Sequence, residues 1–64
     1  MNVAELIEAL GGTNHLATAL SVSPAGVRNW RSFGRLPARH YKKVLALATE
    51  KGIDEISLDL FWED

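Results

Sequence analysis

Arg28 and Asn29 are adjacent, with Ala25 three residues before the first and Ser32 three residues after the second. A guanidinium offers a planar fork of donors, and a carboxamide offers a donor beside an acceptor. Each side chain can therefore place two hydrogen bonds on one planar polar edge. Nucleobases have such edges: arginine matches guanine O6 and N7, and asparagine matches adenine N6 and N7. Ala25 is small enough for close approach and could touch a thymine methyl, and the hydroxyls of Ser23 and Ser32 flank the group. An exposed arginine and asparagine on a helix ordinarily do no more than solubilise it, so their surroundings must decide.

The surroundings are basic. All seven Lys and Arg residues lie between positions 28 and 51, an interval with one acid, Glu50, and a net charge of +6. The residues before it carry −2 (Glu5, Glu8), and those after it carry −5 (Asp54, Glu55, Asp59, Glu63, Asp64), so the net charge of −1 conceals a polarised chain. A basic block inside an acidic chain is a candidate polyanion footprint. Arg39 adds to it. Two residues after Pro37, it is expected in the first turn of a helix, where the macrodipole disfavours cations, and four residues from the like charge of Lys43. A phosphate docked there would reverse the sign of both terms. Arg35, in the preceding loop, could reach the same strand. Arg31 projects toward the side of Val27, where an acid is its expected partner.

Four amphipathic segments are expected to carry these residues. Val3, Leu6, Ile7 and Leu10 recur at helical spacing, with Asn2 as cap and Gly11-Gly12 as stop. Thr13 is the expected N-cap of a second helix that turns Leu16, Ala17 and Leu20 inward. Residues 21–23 form a tight turn. Ser23 caps a third helix, and Pro24 opens it, where its missing N–H costs nothing. At about 100° per residue, Ala25, Arg28, Asn29 and Ser32 then share an exposed stripe, opposite buried Val27 and Trp30. Residues 33–36 form a loop, and Pro37 opens a fourth helix with Tyr41, Val44, Leu45 and Ala48 inward and Leu47 beside them. In the tail, residues 53–64, Ile56, Leu58, Leu60 and Trp62 alternate like a strand. Such a strand has no evident partner except between two subunits, and a short closing helix capped by Ser57 is favoured.

Two short helices joined by a three-residue turn, with a polar stripe on the second, match the helix-turn-helix arrangement. Over residues 13–32, Leu16, Ala17, Leu20, Val22, Val27 and Trp30 fall where that motif packs its helices. The chain here resembles the Cro/repressor-type helix-turn-helix proteins of bacteria and phages, including small Cro-like and YdaS-like members. The likeness extends over residues 3–52 and includes the run WRSFGRLPAR. One departure is Ser21, where the family usually has a left-handed glycine. The resemblance implies an all-α bundle of four to five short helices, lambda-repressor-like, with the second motif helix in the major groove. Carried over by position, the base readers are Ser23, Ala25, Arg28, Asn29 and Ser32, although the Ser23 hydroxyl could instead go to a phosphate. The expected phosphate contacts are Thr13, Arg35, Arg39 and Lys43.

Length and composition narrow the alternatives. The 64 residues form one domain, with 47% hydrophobic and 23% charged residues, as in ordinary globular chains. There are no cysteines, hence neither disulfide nor thiolate site. His15 and His40 fall on separate helices, and Asp54, Glu55 and Asp59 lack calcium-loop spacing, so no metal, cofactor or catalytic role is expected. Neither a membrane span nor a signal peptide is visible. The expectation is a cytoplasmic, nucleoid-associated transcriptional regulator of phage or mobile-element type that binds double-stranded DNA. A domain this small covers few base pairs, so a homodimer is expected, with Phe61 and Trp62 at its contact. The alternative is a protein-interaction module of the same fold, antitoxin-like or polymerase-binding, that works through its acidic, apolar tail.

Overall fold

Asn2 starts the first helix through a reciprocal cap. Its side chain accepts from the Glu5 backbone N–H at 2.8 Å, while the Asn2 backbone N–H donates to Glu5 Oε1 at 2.8 Å. The computed structural model describes residues 1–53 and 56–63. In it, α1 spans Val3–Ala9, α2 Thr13–Leu20, α3 Pro24–Phe33 and α4 Tyr41–Glu50. The result is a small, compact, mostly helical domain with four α-helices among the described residues. Its radius of gyration of 10.3 Å is close to the roughly 11 Å expected for a packed chain of this length.

The helix stops follow from backbone chemistry. Gly11 has φ +106°, and a Cβ there would lie 2.8 Å from His15 Cδ2, so a side chain is excluded on two counts. Gly34, at φ +87°, ends α3 and donates its N–H to the Trp30 carbonyl at 2.7 Å. The α2 cap differs from expectation: Gly12 is the N-cap, without a side-chain hydrogen bond, and Thr13 is the first helical residue.

One core unites the helices. Leu6, Ile7, Leu16, Val27, Leu36, Val44 and Ala48 are fully buried, and Trp30 is 8% exposed. Fully burying a large aliphatic side chain is worth about 1.5–3 kcal/mol, so these positions dominate stability. Small Ala17 is also buried, on the inward side of α2.

The fourth helix and the tail depart from expectation. Proline biases its predecessor toward extended backbone, and Leu36–Pro37 is accordingly a short strand, β1. Pro37 caps a 3-10 turn over Ala38–His40, and α4 begins only at Tyr41. On α4, Leu45 is exposed, whereas Leu47 packs against the core. The tail forms a 3-10 turn, Leu58–Leu60, capped by the Ser57 side chain, rather than a closing α-helix. A second strand, β2, Phe61–Trp62, follows and pairs in parallel with β1, Leu36 against Phe61 and Pro37 against Trp62. The partner strand is therefore within the same chain. Phe61 is buried edge-on against Tyr41, with ring centroids 5.1 Å apart. Expected as a dimer contact, Phe61 is instead part of the monomer core. Asp54, Glu55 and Asp64 lie outside the described residues.

Candidate nucleic-acid interface

Three backbone features set the direction of α3. Ser21 has φ 58° and ψ 42°, the left-handed conformation expected where a glycine is usual. The next N–H, of Val22, donates back to the Ala17 carbonyl at 2.9 Å. Ser23 Oγ then accepts from the Gly26 N–H at 3.2 Å, and Pro24 occupies the first helical turn. The turn thus joins α2 to α3 within three residues, and Val27 and Trp30 anchor α3 on the core.

Opposite those anchors, Ala25, Arg28, Asn29 and Ser32 are all exposed, as their spacing predicts. Ser23 is exposed at the N-terminal end of the same helix; its oxygen is engaged in the cap, and its hydroxyl proton can still be donated. Arg28 makes no ion pair among the described residues. Arg31, one step round the helix, does: its Nη1 lies 3.2 Å from Glu8 Oε1, tying α3 to α1. Both partners are exposed, so the bridge is worth at most about 1 kcal/mol.

The cations expected at phosphates are distributed over three segments. Arg35 is exposed just after Gly34 and makes no ion pair among the described residues. Arg39 is exposed in the 3-10 turn, one residue before His40, the N-cap of α4. It therefore lies outside the first α-helical turn in which it was expected, in the 3-10 turn that leads directly into α4. The dipole argument belongs instead to Lys42 and Lys43, both exposed in the first turn of α4, a turn without an acid. Lys42 was missed because the expected start at Pro37 placed it mid-helix. Thr13 is half-buried at the start of α2.

Large apolar side chains at the surface are few. Leu58 is 67% and Phe33 66% exposed. Phe33 meets half-buried Trp62 edge-on, with centroids 5.2 Å apart. Of the two tail residues that a small core is expected to cover most easily, Leu58 and Phe61, Leu58 is outward and Phe61 is inward. Among the described residues, no group of three or more His, Cys, Asp or Glu side chains is placed to hold a metal ion, and no helix is long and apolar enough to cross a membrane. Comparison with protein-family models, curated proteins and solved structures gives no match to this chain.

Proposed function

We propose that the chain is a sequence-specific double-stranded DNA-binding regulator in which α2 and α3 act as a helix-turn-helix and α3 enters the major groove. One observation carries the reading: α3 exposes Arg28 and Asn29 between Ala25 and Ser32 on a single stripe, while Val27 and Trp30 hold the opposite side in the core. The major groove, about 12 Å wide, admits one helix, and those two side chains match purine edges. Ser23, Thr13, Arg35, Arg39, Lys42 and Lys43 are the proposed phosphate contacts, which set register and most of the affinity. No cofactor or reaction is involved, and the site of action is the DNA-containing cytoplasm, as for a phage or mobile-element repressor.

Specificity from so short a reader calls for a homodimer on a palindromic site. With Phe61 in the core and Trp62 against Phe33, the proposed self-contact centres on Leu58. The same exposed leucine, beside Asp59, favours a second reading in which the tail docks another protein and α3 reads nothing.

Titration of a labelled random-sequence duplex over a series of salt concentrations separates the two. Four cations at phosphates (Arg35, Arg39, Lys42, Lys43) imply a log–log slope near −3.6 per subunit, at about −0.9 per neutralised phosphate. Absent or salt-independent binding would leave only the protein-docking reading.

A further inference from the structure

Phe33 is the last residue of α3, and its ring is two-thirds exposed (66%). Exposure alone would be unremarkable, since single apolar residues are common on surfaces. Three further observations give it a direction. Phe33 stands four residues after Asn29 and eight after Ala25, so the three form one row along the helix. At about 1.5 Å of rise per residue, its ring lies roughly 6 Å beyond Asn29, one or two base steps further along a groove that α3 would follow. The ring is also held: Trp62, delivered by β2, meets it edge-on at 5.2 Å and 89°. Finally, the segment that carries it, residues 28–35, has three arginines and no acid. Arg28 and Arg35, on either side of it in the chain, are exposed and make no ion pair among the described residues.

We infer that Phe33 is a specificity-determining residue that packs on a thymine C5-methyl in the major groove, and that Trp62 is its positioning residue. The inference rests on the DNA-binding reading and extends it past the hydrogen-bonding stripe. A thymine methyl is the apolar group of the major groove, and an aromatic ring is one of its recognised contacts. The occupant follows from charge. A second copy packed through this segment would set its arginines against their own counterparts, whereas a duplex brings phosphates. Trp62 is half-buried and followed by the acid Glu63, so its part is to hold the ring from behind, not to meet the backbone. The parallel pairing of β2 with β1 thereby acquires a purpose beyond closing the core: it fixes the aromatic brace of the reading helix.

The test uses the 64-residue chain and a duplex selected by it from a random pool, prepared with thymine and, separately, with each thymine replaced by uracil. Removing a methyl that packs on Phe33 should weaken wild-type binding about fourfold. With the thymines replaced one at a time, wild type should lose affinity at the position that packs on Phe33, and Phe33→Ala should not distinguish thymine from uracil at that position, whatever Ala25 does at another. Phe33→Leu, which keeps an apolar contact, should retain part of the discrimination. Trp62→Ala should lose part of it while leaving affinity for random duplex unchanged; full retention removes Trp62 from the account. Circular dichroism of each variant confirms that it is folded, which an exposed position favours. If Phe33→Ala keeps full thymine–uracil discrimination, the inference fails while the DNA-binding reading stands. If Phe33→Ala instead abolishes self-association in sedimentation, the occupant is a second copy and the inference is overturned. If wild type binds no duplex, the underlying reading fails, and this inference with it.

Discussion

Replacing Ser21 with glycine should stabilise the fold, and the backbone supplies the magnitude. Ser21 sits at φ 58° and ψ 42°, where an L-residue with a Cβ is disfavoured by about 1–2 kcal/mol. Glycine removes that term and adds about 0.5–1 kcal/mol of unfolded-chain entropy. The serine side chain is exposed and makes no hydrogen bond among the described residues, so little else is lost with it. The backbone bonds of the turn, Ser21 N–H to Thr18 at 3.2 Å and Val22 N–H to Ala17 at 2.9 Å, survive the change. The expected net gain is about 0.5–1 kcal/mol, or roughly 3–6 °C in Tm for a domain of this size. Thermal unfolding followed by far-ultraviolet circular dichroism and a urea titration with unchanged m-value would measure it. A lower Tm, or none of the expected rise, would show that the left-handed turn carries no strain at Ser21 and that its geometry has been misread.

Other positions test separate parts of the account. Leu36→Ala removes a fully buried side chain from β1 and should cost about 2–5 kcal/mol, read as a lower urea midpoint; a cost under 1 kcal/mol would mean that β1 is not packed as described. Lys43→Gln removes a cation from the first turn of α4, so it should stabilise the free protein by about 0.3–1 kcal/mol while reducing the salt slope of DNA binding by about one. An unchanged salt slope would refute its assignment to a phosphate. Arg39→Ala should weaken binding to all duplexes alike and flatten the salt slope by about one; an unchanged slope removes Arg39 from the contacts. Leu58→Lys should abolish any dimer seen in sedimentation, because it places a charge on the outward residue of the tail.

Much of the architecture was legible because it is local. Asn2, Ser23-Pro24 and the glycines at 11, 12 and 34 act on the backbone within a few residues of themselves, and they delimit α1 and α3 as expected. The stripe on α3 was legible for the same reason, since a ten-residue helix anchored by Val27 and Trp30 leaves little choice of face. Arg31 pairs with an acid, as its position toward Val27 suggested. What the sequence could not convey depends on neighbours. Leu45 and Leu47 lie on opposite flanks of the buried face of α4, each roughly 80° from the centre set by Val44 and Ala48, and only the packing of the tail and the other helices decides between them. The β1–β2 pairing joins two-residue strands at opposite ends of the loop-rich half of the chain, too short to leave a period, one of them opened by the residue before a proline. That missed pairing is why Phe61, expected at a dimer contact though also within easy reach of the core, is buried, and why Leu58, expected inside with it, is not.

The central claim is that α3 reads base edges, and Arg28 tests it most directly. Affinities of wild type and Arg28→Ala should be compared on the selected duplex and on a scrambled duplex of equal length and salt. A bidentate contact to guanine predicts a loss of about 1–3 kcal/mol on the selected site and much less on the scrambled one. Equal losses on the two duplexes would make Arg28 a general cationic contact and contradict the assignment of α3 as the reading helix.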